Sequence, residues 1–189
     1  MAKIDVKKLR RRTGSGYPVP FDLPVARRNR RQLGDAGGLT QFGVNLLELE
    51  PGAWSSQRHW HTNEDEFVYV VSGEVTLVTN AGEEKLRAGD CAGFPCGTRD
   101  GHHLINRSRT KPAVCLEVGT RVDIDYIEYP DIDMVFDTRV DSYARRDGTL
   151  YPQKPSRAIK APATPKKAAP AKRKAKAKTK TTTPRRPGR

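Results

Sequence analysis

From position 41 onward, apolar and polar residues alternate in short runs separated by turn signals. A period of two is the mark of a strand with one face buried. The pattern predicts strands over 42–50, 66–71, 74–79, 83–86, 91–94, 102–107, 113–118 and 122–128. Between them, Pro51-Gly52, Ser72-Gly73, Asn80-Ala81-Gly82 and Gly89-Asp90 supply turn chemistry. Ser72-Gly73 and residues 80–82 read as tight turns that join consecutive strands into hairpins. No segment carries apolar residues at helical spacing. Eight or nine short strands without an amphipathic helix predict an all-β sandwich or closed barrel.

The flanks differ from this body. Pro18, Pro20 and Pro24 exclude a regular helix near the N-terminus, so residues 1–36 read as an extended arm. Its apolar residues Tyr17, Val19, Phe21, Leu23 and Val25 are placed to pack on the barrel. Arg27, Arg28, Arg30 and Arg31 read as the solvated face of that strap. Residues 154–189 contain no aromatic residue, and Ile159 is their only large aliphatic. Such a segment cannot bury enough apolar surface to offset its ordering entropy, which predicts a disordered tail. The chain is thus expected to divide into an arm (1–36), a barrel (37–153) and a tail (154–189).

Charge follows the same division. The net charge is +13, but the arm carries +7, the body −8 and the tail +14. An acidic body therefore sits between two basic flanks. A dense Lys/Arg tract without acids binds phosphate backbones without reading sequence. Non-specific nucleic acid is an expected partner of the tail, and a purely solubilising role is the alternative. No helix-turn-helix pattern is visible. The N-terminus has no apolar core of a secretory signal, and no run reaches the roughly 18 apolar residues that span a bilayer. A cytoplasmic protein is expected, with nucleoid association through the tail and no membrane partner. Cys91, Cys96 and Cys115 are odd in number, lack C-x-x-C spacing and lie in apolar stretches. They read as small buried residues in a reducing compartment.

Candidate chemistry is concentrated in two places, which hold all four histidines. In the first, His59 and His61 flank Trp60, so on a strand they share a face. Four residues later Glu66 opens the next strand. If these side chains face the interior, two imidazoles and a carboxylate converge on one point, a ligand set that suits a first-row divalent metal with open positions. In the second, turn signals at Gly89-Asp90 and Pro95-Cys96-Gly97 bracket a short strand ahead of His102, which would bring a third imidazole. The alternative is that these histidines are exposed polar positions of half-buried strands. Glu64 and Asp65 read as solvent-facing carboxylates near a turn. The acidic run Asp123, Asp125, Glu128, Asp131 and Asp133 reads as a solvated strand edge. Arg58 and Trp60 either line the entrance or pack. No Ser-His-Asp arrangement and no glycine-rich phosphate loop is present.

These two segments resemble the paired motifs of the cupin superfamily. His59, His61, Glu66 and Gly73 match the spacing of its first motif, and Gly89, Pro95, Gly97, His102 and Asn106 supply the residue types of the second. Six residues rather than five separate Gly52 from His59, and four rather than two separate Gly97 from His102. The second insertion leaves His102 and His103 as alternatives, and both the spacing to Asn106 and strand parity point to His102. His103 then reads as a structural or supporting residue. The likeness spans about residues 15–151, within a branch of small bacterial cupins of uncharacterised function.

The resemblance implies a double-stranded β-helix, or jelly-roll barrel, binding one divalent ion (Fe, Mn, Ni or Zn) through His59, His61, Glu66 and His102. It also implies a homodimer. Cupins include dioxygenases, isomerases and decarboxylases, so fold alone does not select a reaction. The expectation is an oxygenase or isomerase acting on a small polar metabolite. The alternative is a non-catalytic small-ligand-binding barrel held near nucleic acid by its tail.

Overall fold

The computed structural model describes residues 3–153; the tail, with the disorder expected of it, lies outside the described residues. Along the chain run β1 (Arg12–Thr13), β2 (Arg28–Gln32), a one-turn helix α1 (Leu33–Ala36), β3 (Phe42–Leu49), β4 (Trp60–His61), β5 (Glu66–Ser72) and β6 (Glu74–Thr79). Then come β7 (Gly82–Arg87), β8 (Cys91–Phe94), β9 (His103–Ile105), β10 (Ala113–Thr120), β11 (Tyr126–Tyr129), β12 (Met134–Asp137) and β13 (Ser142–Ala144). They form a six-stranded sheet in the order β1-β2-β3-β10-β5-β8, a four-stranded sheet β13-β12-β11-β4 and a three-stranded sheet β7-β6-β9. This is the all-β architecture the alternation predicts, in the jelly-roll form the cupin resemblance implies.

The main core lies between the six- and three-stranded sheets. Leu47 and Leu49 of β3, Val68 and Val70 of β5, and Cys115 of β10 meet Val75 and Leu77 of β6, Leu86 of β7 and Leu104 of β9. Each lies in register with the inward parity of its strand, so burial follows from the period of two. A second cluster joins the arm to the four-stranded sheet: Tyr17 and Val25 pack with Tyr129 and Met134. Arg28 anchors this cluster from the side, donating from Nε to Gly14 O at 3.1 Å and from Nη1 to Ser55 O.

The structure departs from the sequence reading in several places. β5 and β6 do not pair with each other; they belong to different sheets. Gly73 is therefore a corner between sheets and not a hairpin turn. Its φ is +82°, and a Cβ there would lie 3.0 Å from Ala113 Cα, so both conformation and space call for glycine. The arm is more than a strap, because β2 pairs along its length with β3. Arg28 is buried rather than solvated. Only Cys115 of the three cysteines is buried; Cys91, on the edge strand β8, and Cys96, in the turn after it, are exposed. The strand expected over 122–128 begins only at Tyr126, and β12 and β13 follow it. Among the described residues, no helix is long and apolar enough to cross a membrane.

Candidate metal centre

Three separate pairings bring the candidate ligands together. His59 and His102 are clipped back to back: His102 N–H donates to His59 O at 2.8 Å, and His59 N–H to His102 O at 3.2 Å. His61 sits in β4, opposite Ile127 of β11, and its carbonyl accepts from Gly97 N–H at 2.8 Å. Glu66 opens β5 between Phe94 of β8 and Gly119 of β10. These contacts fix the backbone of all four residues before any side chain is considered.

The side chains converge on one atom. Glu66 Oε2 lies 3.4 Å from His59 Nε2, 3.4 Å from His61 Nε2 and 2.9 Å from His102 Nε2. Donor atoms about 2.1 Å from a shared ion, at tetrahedral or right angles, stand about 3.0–3.4 Å apart. The spacings around Glu66 fall at those values. The donors of His59, His61 and Glu66 also lie within 4.8 Å of one another, and His102 joins them through Glu66. Three imidazoles and a carboxylate with a wet side form a chemically suitable set for a first-row divalent ion. The imidazoles of His59 and His61 are almost enclosed, whereas the Glu66 side chain is 32% exposed.

Electrostatics reflect this crowding. Burial alone would raise the Glu66 carboxyl, but the hydrogen bonds of His102, His59 and His61 outweigh it and hold Glu66 well below its usual range. Burial pushes His59 down. His61 is also buried, yet hydrogen bonds to Asp125 and Glu66 dominate and push it up to about 10. His59 Nδ1 faces Gln57 O at 3.0 Å and His61 Nδ1 faces Asp125 Oδ2 at 2.6 Å. Both partners are acceptors, so Nδ1 carries the proton and Nε2 is the nitrogen left to bind. Among the described residues, His102 Nδ1 is buried without a hydrogen-bond partner; its ring is instead stacked on Phe94, with centroids 3.6 Å apart and planes 2° from parallel.

His103 also borders the cavity lined by His59, Glu66 and His102, but its ring is engaged elsewhere. Its Nδ1 lies 3.1 Å from Ser56 O, its ring meets the Trp54 ring at 4.6 Å, and burial pushes it down to about 4. It is a packing residue. Arg58, expected to line an entrance or to pack, clamps the loop ahead of His102. It binds Asp131 at 2.7 and 2.6 Å, reaches Gly101 O at 3.3 Å and also bonds Asn80. Gly101 must be small there, since a Cβ would lie 2.8 Å from Pro130 Cγ. Trp60 is buried beneath Arg99.

Among the carboxylates read as solvent-facing, Asp125, Glu64 and Glu128 are not. Asp125 is buried and bonded to His61, because the loop before β11 folds inward instead of continuing as an edge strand. Glu64 is half-buried and accepts from Val122 N–H at 3.1 Å. Asp65 is exposed as expected, although its Oδ1 accepts from Cys96 N–H at 2.9 Å. Arg30 and Glu117, an ion pair at 2.7 Å, line the same cavity as His59, Glu66 and His102 and were not anticipated. That cavity has a volume of about 30 Å³. An ion and a water fit inside, so a larger molecule must approach from the open side of Glu66.

Fold and cluster together define a class: jelly-roll β-barrels with a candidate metal-binding His/Glu group in the lumen. This chain belongs to the cupin superfamily. Residues 45–119 match the family model described as Cupin domain. A crystal structure of a cupin-superfamily sugar phosphate isomerase from Silicibacter pomeroyi is 45% identical, covers 78% of this chain and 95% of its own, and superposes with a TM-score of 0.74. A putative sugar phosphate isomerase from Acidithiobacillus ferrooxidans is 36% identical, with coverage of 63% and 75% and a TM-score of 0.59. The polyketide cyclase RemF of Streptomyces resistomycificus shares the fold alone, at 17% identity, coverage of 64% and 79%, and a TM-score of 0.50. No curated protein matches the chain.

Proposed function

We propose that this chain binds one divalent ion (Fe, Mn, Ni or Zn) through His59, His61, Glu66 and His102 and isomerises a small phosphorylated sugar. The observation that carries the reading is the convergence of three Nε2 atoms on a single oxygen of Glu66. The isomerase class rests on similarity to the two proteins named sugar phosphate isomerases. A bound ion would supply charge to polarise a substrate oxygen, with no need for a protein nucleophile. The chain's own residues would do the rest. His59, His61 and His102 leave the side of Glu66 open to a substrate, while Arg30 and Glu117, paired with each other, line the small cavity that would hold the ion. Elemental analysis of the purified protein, followed by NMR of aldose and ketose phosphates incubated with it, tests the proposal. Absence of a bound ion would remove the metal reading. A bound ion with ligand-dependent thermal stabilisation but no interconversion would leave a non-catalytic binding barrel.

The homodimer is supported by the outer face of the six-stranded sheet. Phe67, Tyr69 and Val71 of β5 are 41%, 41% and 49% exposed and adjoin Phe42, Leu116 and Val118 on the same face. A continuous apolar face of this kind suits self-association about a two-fold axis. Light scattering is expected to give twice the chain's 21.1 kDa, and Tyr69→Glu is expected to give a monomer with an unchanged circular dichroism spectrum. A monomeric wild type would end this reading.

A second reading concerns residues 154–189, with fourteen Lys/Arg and no acid. Their charge supports non-specific nucleic-acid binding by phosphate contact. The full chain is expected to shift duplex DNA in low salt, and a chain ending at Gln153 is not; equal affinity of the two would refute the tail's role.

A further inference from the structure

We infer that Asp125 is a positioning residue for the metal centre, holding His61 so that its Nε2 faces the ion; this rests on the metal reading above. Asp125 is the only carboxylate among the described residues within hydrogen-bond reach of a ligand histidine's Nδ1. Its side chain is 1% exposed. Burying a carboxylate is costly unless both oxygens are engaged, and here both are. Oδ2 lies 2.6 Å from His61 Nδ1, and Oδ1 accepts from Asn63 N–H at 2.9 Å. The backbone is fixed as well: Asp125 N–H donates to Thr138 Oγ1 at 2.8 Å, and Thr138 N–H donates to Asp125 O at 3.1 Å.

The consequences for His61 follow from imidazole chemistry. A carboxylate at Nδ1 selects the Nδ1–H tautomer, fixes the ring plane and makes Nε2 a better donor. Glu64 does not compete, because its Oε2 is 3.9 Å from the same nitrogen and its Oε1 is taken by Val122 N–H. The same stretch of chain also grips His61 through the backbone, since β11 starts at the next residue and pairs Ile127 with His61. Asp125 lies outside residues 45–119, the span of the family match. All four candidate ligands thus come from the matched segment, while the support for one of them comes from the C-terminal extension that wraps it.

The test uses the full chain, stripped of metal and titrated with Co(II) against a chelator. Dissociation constants, the visible Co(II) spectrum and the metal-free melting temperature are read for wild type, D125A, D125N and Y151F. Tyr151→Phe removes a hydrogen bond to Asp133 O within the same extension and touches no ligand. Loss of such a supporting carboxylate weakens metal binding about 10–100-fold, which is expected for D125A. D125N retains an oxygen for Nδ1–H but not the charge, and is expected to fall between D125A and wild type. Both are expected to alter the Co(II) band, whereas Y151F keeps the wild-type constant and band even if it melts earlier. Wild-type affinity and spectrum in D125N and D125A overturn the inference while leaving the metal centre intact. Equal weakening in Y151F also overturns it, by reducing the effect to loosened packing. A wild type that binds no Co(II) overturns the metal centre and the inference together. Where D125A does not fold, the nearly isosteric D125N decides.

Discussion

Glu66→Gln is expected to abolish metal binding while leaving the barrel folded. The exchange preserves shape but removes the one negative charge on which three imidazoles converge. Without it, an ion must be held by neutral nitrogens, next to the Arg30 guanidinium that lines the same cavity. The fold does not depend on this carboxylate, because β5 is fixed on both sides by β10 and β8. An ion at about 1,000 times its dissociation constant stabilises the native state by about 4 kcal/mol. In a domain of this size that corresponds to a Tm shift on the order of 10 °C. Wild type is expected to lose that margin on chelation, and E66Q to melt at the lower temperature with or without added metal. Scanning calorimetry with and without chelator, alongside elemental analysis, checks both halves. An E66Q protein that purifies with a stoichiometric ion would show that the Glu66 charge is not needed to hold it.

The contrast between Glu66 and Asp125 shows what the sequence could and could not reveal. Glu66 was legible as a candidate because it opens the strand that follows His59 and His61 by a few residues, a pair that strand parity places on one face. His102 was legible by motif, and its parity with Asn106 separated it from His103. Asp125 sits in a run of acidic residues whose composition suits a solvated edge. Whether such a residue turns in or out depends on the strand it follows, and β11 pairs with β4, about 65 positions away. No local pattern encodes that contact. Arg30 was hidden for the same reason: four clustered arginines look solvated until β2 is known to lie beside β3, which places Arg30 against Glu117. Strands with alternation or with turn signals at both ends were placed to within a residue or two, as with β6 and β8. Their grouping into sheets was not, because a turn at Gly73 reads alike for a hairpin and for a corner between sheets.

Asn106→Ala is expected to do the reverse of Glu66→Gln, costing the fold and sparing the site. Asn106 is fully buried and ties three stretches of chain together. Its Nδ2 donates to Leu49 O at 2.8 Å and to Lys111 O at 2.9 Å, and its Oδ1 accepts from Ser108 N–H at 3.0 Å. Alanine would leave all three backbone groups without that partner, in a space the remaining side chain cannot fill. Each buried polar group so orphaned costs about 1–3 kcal/mol. Allowing for partial hydration at the Ser108–Lys111 turn, a loss of about 3–5 kcal/mol follows, a large part of the roughly 5–15 kcal/mol that holds a domain folded. Asn106→Asp offers no relief, since it sets a carboxylate against two carbonyl oxygens. Denaturant unfolding of the metal-free protein measures the loss. Asn106 makes no hydrogen bond to His59, His61, Glu66 or His102. The folded fraction is therefore expected to bind one ion with wild-type affinity. Near-wild-type stability in N106A, or loss of the ion from a protein still fully folded, would contradict this division between the residue that ties the barrel and the residues that furnish its lumen.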